Sequence, residues 1–271
     1  MATENKEAES RYKTHTQREV QYDPLVADRN VDLPKGQGDP GIKFSIVFPT
    51  RERPDLLKSL LESINKNTFN LNEIEVLIAV DDDDITNYGF VELSFPFATI
   101  YRVKRSLNFS RDYYTFLAKQ STGRWIITAN DDCVFETPEW DTLAYNVLKD
   151  KPGVIYGWIQ DHLATYRANG HGNYCCFPLQ GRAGFEALGY IFPSRVPTWG
   201  ADIWAKNLYD QVNSVVELPI TLRHYCHHNK TRGQDHISKR IANSQVPFDM
   251  RPGYDEINKL LAALKREMAK A

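Results

Sequence analysis

The sequence predicts an α/β domain with a mostly parallel central sheet flanked by helices, and three observations carry that expectation. Short runs of β-branched and aromatic residues alternate with stretches whose leucines and isoleucines recur at helical spacing. Their order, strand, helix, strand, strand, helix, strand, helix, is that of a parallel sheet with helical crossovers. Polar residues cluster just after the C-terminal ends of the strands, where open α/β sheets bind ligands. The composition agrees: 271 residues, 42% hydrophobic and 25% charged, exclude a fibrous or wholly disordered chain.

Residues 1–40 are polar and charge-mixed and close on a run of Pro and Gly, so a polar arm precedes the ordered core. Ile42 to Phe48 reads as a buried strand and Pro49-Thr-Arg-Glu-Arg53 as the loop after it. Pro54 suits the first turn of a helix, and Leu56, Leu57, Leu60, Leu61 and Ile64 give that helix one apolar face. Ile74 to Val80 is the second strand and stops at four aspartates, Asp81–Asp84; Thr99 to Val103 is the third. Ser110 is suited to cap a helix running to Lys119, with Asp112 in its first turn. Trp125 to Ala129 is the fourth strand and ends at Asn130, Asp131 and Asp132. Thr137-Pro138 opens a helix with Trp140, Leu143, Ala144, Val147 and Leu148 inward.

The second half is less regular. Gly153 to Ile159 reads as a strand, 161–176 as a loop, 184–190 as a short helix or turn, Asp202 to Val212 as a helix, and 220–225 as a strand ending near histidines. The last 18 residues form an amphipathic helix with Ile257, Leu260, Leu261, Leu264 and Met268 on one face.

A net charge of −2 rules out a chain-wide basic footprint for nucleic acid and leaves only a local patch. No apolar run approaches the ~20 residues needed to cross a bilayer, and the first ten residues lack the apolar core of a secretory signal. The four cysteines, Cys133, Cys175, Cys176 and Cys226, lack C-x-x-C spacing. A reduced, cytoplasmic chain without a structural zinc is the expectation.

Chemistry is expected at the strand ends. Asp131 and Asp132 offer hard oxygen ligands for Mg2+ or Mn2+ shared with phosphate oxygens; taken alone, the motif is more often a solvated turn at a strand end. In Asp81–Asp84 one carboxylate is suited to accept hydrogen bonds from a base or ribose, and the other three are expected to be solvated. Asp202, after Trp199-Gly-Ala, is either a helix cap or a general base beside a hydroxyl acceptor. Trp199 and Trp204 have faces that pack on sugar rings or in a core. His224, Cys226, His227 and His228 cluster without zinc-finger spacing, which favours one histidine as ligand of a divalent metal over a zinc site; exposed imidazoles at a strand end are the alternative. Lys230, Arg232, Lys239 and Arg240 follow, as a clamp for a diphosphate or as solvated surface.

Four stretches, taken in order, carry a likeness. They are Phe44-Ser-Ile-Val-Phe-Pro-Thr-Arg-Glu-Arg-Pro-Asp-Leu-Leu57; Val80-Asp-Asp-Asp-Asp84; Asn108-Phe-Ser-Arg-Asp-Tyr-Tyr114 with Gly123-Arg-Trp-Ile-Ile-Thr-Ala-Asn-Asp-Asp132; and Gly184-Phe-Glu-Ala-Leu-Gly189 with Trp199-Gly-Ala-Asp202. Together the chain resembles the nucleotide-sugar glycosyltransferases of the GT-A fold, specifically the glycosyltransferase family 2-like group, over roughly residues 42–226. The resemblance implies a GT-A domain at 41–250, with a nucleotide-binding half at 41–135 and an acceptor half at 136–250, followed by a C-terminal helix at 251–271. It implies that Pro49, Thr50, Arg51 and Arg53 line the nucleotide pocket. Asp81 or Asp82 would contact the base, usually uracil, and Arg111 and Asp131 would lie near the nucleotide-sugar. Asp132 and His224 would hold a divalent cation, Mn2+ or Mg2+, and Asp202 would be the catalytic base. Three positions depart from the pattern: Asn130 stands for the first acid of D-x-D, Asp112 for the usual Asn after Arg111, and Ala201 for an acid before the base.

The activity so implied is metal-dependent transfer of a sugar, from a UDP-sugar by preference, with inversion. The acceptor is left open among glycan, protein and modified nucleic-acid base. The terminal helix is expected to pack against a second copy, as a homo-oligomer, or dock on its own core, with peripheral membrane attachment through its apolar face and lysines as the alternative. Three competing readings are a sugar-1-phosphate nucleotidyltransferase, opposed by the lack of Gly in 49–53, an inactive nucleotide- or glycan-binding module, and a scaffold acting through the 254–270 helix.

Overall fold

The computed structural model describes residues 41–163, 174–226 and 251–270, with 233, 235, 236, 239, 243 and 249. The polar arm, the middle of the 161–176 loop with Tyr166, Arg167 and His171, and His227, His228, Lys230, Arg232 and Arg240 lie outside the described residues.

Strand β1 (Phe44–Thr50) is buried on both faces, as its unbroken apolar run demands. It extends through Pro49 and Thr50, two residues further than the sequence suggests, because both still pair with the next strand. Pro49 lies beyond the last residue of β1 paired on the other side, so its missing N–H breaks no ladder there. Helix α1 (Pro54–Asn67) starts on Pro54 and buries Leu57, Leu60, Leu61 and Ile64 completely. A single-turn 3-10 helix at Leu71–Glu73 leads into β2 (Ile74–Asp81). Short α2 (Phe90–Ser94) precedes β3 (Ala98–Val103).

The predicted Ser110 cap is not formed. Phe109 already has helical backbone angles, and the Ser110 hydroxyl donates instead to the Val196 carbonyl. A π-type turn at Ser110–Thr115 then runs into α3 (Phe116–Gln120). Strand β4 (Trp125–Thr128) is followed by β5 (Cys133–Phe135), whose three residues are too few to show a period in the sequence. Helix α4 (Trp140–Leu148) starts later than expected, after Glu139 at φ 54°. Thr137 does not cap it, because its hydroxyl accepts from the Thr221 N–H at 2.9 Å. Leu143, expected inward, is exposed.

The remaining elements are β6 (Tyr156–Gln160), β7 (Leu179–Gly181), α5 (Arg182–Leu188), α6 (Ala201–Gln211), β8 (Val215–His224) and α7 (Tyr254–Met268). Among the described residues the eight strands form one sheet in the order β3-β2-β1-β4-β7-β6-β8-β5. Its first half is parallel, whereas β7 runs antiparallel to both β4 and β6 and β5 antiparallel to β8. Between β6 and β8 the parallel register shifts at Trp158 to Gln160, opposite Pro219, which has no N–H to give.

Helix α7 packs on α5 and α6 of its own chain through Leu260 and Ala263, while Leu261 and Met268, expected on the apolar face, are exposed. Buried Glu256 fixes the start of the helix by accepting from both Arg195 Nη atoms at 2.6 and 2.7 Å and from Tyr190 at 2.6 Å. Among the described residues no helix is long and apolar enough to cross a membrane.

Candidate functional site

The parallel half of the sheet aims the C-terminal ends of β1, β2 and β4 at one cleft. The cleft is open to solvent. The cleft brings together Pro49, Thr50, Arg51, Arg53, Asp81, Asp131, Asp132, Asp202 and His224, nine of the residues that the sequence singles out.

The β1 end supplies a polar ladder. Thr50 Oγ1 donates to Asp131 Oδ2 at 2.8 Å, and Arg53 Nη1 donates to Asp131 Oδ1 at 2.9 Å. Asp131 is therefore spent on holding the loop after β1 against the loop after β4. Burial pushes its carboxyl well above the usual range, against the pull of Arg53. The other side of the Arg53 fork meets Asp235 at 2.9 and 2.7 Å.

Arg51 turns the other way. Its Nη1 donates to Asp81 at 3.0 Å and also to Asp83. Asp81 further accepts from the Tyr113 hydroxyl. The four aspartates thus divide differently from the sequence expectation of one functional and three solvated. Asp81 and Asp84 are buried, and only Asp82 and Asp83 are exposed. Asp84 organises the loops by accepting from the backbone N–H groups of Glu52 and Thr86 and from the Tyr88 hydroxyl, each at 2.9 Å. Asp82 does not line the cleft, and Arg111 lies outside it with its guanidinium on Asp112 at 2.7 and 3.0 Å.

Asp132, the residue before β5, and His224, the last residue of β8, meet in the cleft, His224 Nε2 lying 3.3 Å from Asp132 Oδ1. The β5–β8 ladder sets that distance by pairing Cys133 with His224, and the Tyr225 N–H closes onto the Asp132 carbonyl at 2.8 Å. Burial alone would depress the His224 imidazole, but the Asp132 charge and hydrogen bonds with Asp132, Cys176 and Cys226 hold it well above its usual value. Among the described residues no three His, Cys, Asp or Glu side chains form a closed metal cage. One carboxylate and one imidazole at a phosphate-sized cleft are nevertheless what Mg2+ or Mn2+ uses when substrate oxygens complete its shell. Asn130, at the departing D-x-D position, accepts from Tyr114 Oη at 2.7 Å.

Asp202 lies in the first turn of α6, where Gly200 at φ 91° ends the preceding loop. Gly200 holds the cap position; Asp202 itself faces the cleft. Burial, with the nearby charge of Asp161, pushes its carboxyl up to about 6. Sequence reasoning missed the aromatic lining, Phe109, Tyr113, Tyr114 and Phe192, and the contribution of Cys176. None of these belongs to a period, and in the Asn108–Tyr114 stretch only Arg111 is given a role by the resemblance. The basic stretch contributes little that is described: Arg223 is paired with Glu136 and Lys239 is exposed.

A parallel α/β half-sheet, acids at two strand ends and a histidine returning from a late strand define a domain of GT-A type. The family model for glycosyl transferase family 2 matches residues 45–195, more than half of the chain, and the chain belongs to that family. No curated protein sequence matches it. Among solved structures it is similar to a fragment of S. aureus TarS in complex with UDP, at 15% identity and TM-score 0.52, over 65% of this chain and 58% of that one. It is also similar to mannosyltransferase PcManGT from Pyrobaculum calidifontis in complex with GDP-Man and Mn2+, at 15% identity and TM-score 0.52, over 91% of this chain and 83% of that one. A third is glucosyl-3-phosphoglycerate synthase from Mycobacterium tuberculosis in complex with Mg2+ and UDP, at 12% identity and TM-score 0.50, over 83% and 80%. At these identities the likeness is one of fold.

Proposed function

We propose that the chain transfers a sugar from a nucleoside-diphosphate-sugar, a UDP-sugar by preference, to an acceptor hydroxyl with inversion. The observation that carries this is the convergence of Asp132, His224 and Asp202 in one cleft with the Thr50–Asp131–Arg53 ladder at its side. Asp132 and His224 would hold Mn2+ or Mg2+, which supplies charge neutralisation for the leaving diphosphate. Thr50, Arg53 and Asp131 keep the two strand-end loops in register, so the pocket wall is formed before the donor arrives. Asp81, held by Arg51 and Tyr113, is the acceptor for a base N–H.

Asp202 takes the proton of the acceptor hydroxyl as its oxygen attacks the anomeric carbon. A single carboxylate serves one displacement, and one displacement inverts the anomeric centre. The neighbours solved with UDP, GDP-Man, Mn2+ and Mg2+ support this choice of donor and cation.

The test is donor turnover. UDP-glucose, UDP-galactose, UDP-GlcNAc and GDP-mannose are incubated with and without Mn2+ using wild type and Asp132→Ala, and released nucleoside diphosphate is measured. Metal-dependent release that is lost in the variant is expected. A folded protein that binds no nucleotide in the presence of Mn2+ overturns the proposal. A second reading, donor binding without turnover, is favoured by Asn130, an amide tied to Tyr114 where an acid is usual; nucleotide binding with no release would select it.

A further inference from the structure

Helix α7 carries two apolar stripes, and its own core covers one of them. The inner stripe, Leu260 and Ala263 with Ile257 and Leu264 beside them, packs on α5 and α6. The outer stripe is Tyr254, Leu261 and Met268, which leave 89%, 37% and 65% of their surface in water. They recur every seven residues, nearly two whole helical turns, so they stand in one row. Asn258 and Lys265, both exposed, fall in the same row four residues after Tyr254 and Leu261. The row is therefore a two-heptad seam, with apolar residues at one core position and Asn and Lys at the other. It points away from Leu260 and Ala263, so docking on the core leaves it bare. A single exposed leucine needs no explanation, but a row at heptad spacing along a whole helix is the pattern of a helix that meets another.

The charges beside the row select the partner. Asp255 in the first turn and Arg266 near the last lie on the same flank, with Ala262 between them, and all three are exposed. A second α7 laid parallel would set Asp255 against Asp255 and Arg266 against Arg266. Laid antiparallel with Leu261 on the two-fold axis, it sets each Asp255 beside the Arg266 of the other copy and each Tyr254 against the other Met268. The helix dipoles then oppose each other as well. Asp255 also meets Lys259 of its own helix at 2.7 Å, an exposed pair that is worth little. None of the described residues lining the cleft belongs to α7, so this pairing leaves the cleft open.

We propose that the outer face of α7 is an interface with a second copy of this chain, the two helices pairing antiparallel about Leu261. The proposal is independent of the transferase reading. A two-heptad seam buries little area, so the dimer is a weak one that forms with rising concentration.

Sedimentation velocity of the full chain from about 5 to about 500 µM reads the oligomeric state. A shift from monomer to dimer is expected in wild type and is expected to be lost in Leu261→Glu, with a thermal melt to verify that the variant is folded. Asp255→Arg should weaken the dimer about fivefold or more, as two exposed ion pairs are lost, and the double variant Asp255→Arg with Arg266→Asp should restore it. Cysteine variants read the arrangement without disturbing the charges. Under glutathione disulfide, which takes up the electrons and protons of the two thiols, Leu261→Cys should form a covalent dimer. Tyr254→Cys and Met268→Cys should each stay uncrosslinked alone and crosslink when mixed, and wild type is the control for the native cysteines.

A monomer at every concentration, a dimer indifferent to Leu261→Glu, or self-crosslinking of all three cysteine variants, the parallel pattern, overturns the proposal. So does a monomer that sediments with phosphatidylglycerol vesicles and loses them in Leu261→Glu, which would give this face to a lipid surface.

Discussion

Asp202 shows how one side chain acquires a role from its surroundings. In the first turn of a helix an aspartate is an ordinary residue, but burial beside Asp161 raises its carboxyl to about 6, near the pH at which a base must work. As the proposed base it would act in its ionised form, so transferase rate is expected to rise with pH, with a midpoint near 6, and then level off. Asp202→Asn should lower kcat by about 10²–10⁴-fold, the usual worth of a general base, with UDP affinity unchanged by calorimetry. A donor affinity that falls in parallel with kcat would move Asp202 out of the role of base. Asp131 shows the contrary case: an acid in the most legible motif of the chain is consumed by Thr50 and Arg53 in holding two loops together.

At the scale of elements, what could be read was what repeats. The leucines of α1 and the apolar runs of β1, β2 and β4 declare themselves through periodicity and length, and the cleft follows because those strands are parallel. Strands β5 and β7 were illegible because three residues have no period; their existence depends on partners far along the chain. The aromatic lining was hidden for a similar reason, since Tyr114 and Phe192 look like core residues until the packing that brings them to the cleft is known. Trp199 and Trp204 could not be told apart, because only packing decides which is covered.

Close approach between these short elements also explains Gly181. A Cβ there would lie 2.0 Å from the Gly153 carbonyl oxygen, a backbone atom that no rotamer change can move. Gly181→Ala is expected to cost about 3 kcal/mol, the upper end of overpacking, as a fall in the urea midpoint. The control Gly233→Ala, with open space around its Cβ, should leave that midpoint unchanged.

For the whole molecule, α7 is tied to the core through Glu256. Burial would raise this carboxyl, but the hydrogen bonds from Arg195, Tyr190 and the Gly253 N–H outweigh it and hold it below the usual range. The unfolded chain therefore takes up the proton first, and the stabilisation, complete above the unfolded value, is lost as pH falls through the folded one. Melting temperature followed from pH 7 to 3 should fall less steeply in Glu256→Gln than in wild type. Ligand linkage acts on the same global equilibrium: UDP with Mn2+ at about one hundred times its dissociation constant should add about 2.7 kcal/mol to stability, and Asp132→Ala should abolish the part that needs the cation.

The ladder that sets Asp132 beside His224 has a further consequence, for the order in which the molecule assembles. The two residues lie at opposite ends of a long loop that includes α4, β6, β7, α5 and α6, and only the pairing of β5 with β8 brings them together. A contact of such high separation pays its closure entropy late. A cation held by both residues, as proposed above, would therefore find its site only in a chain that has already folded, and would act as a latch on unfolding and not as a template for folding.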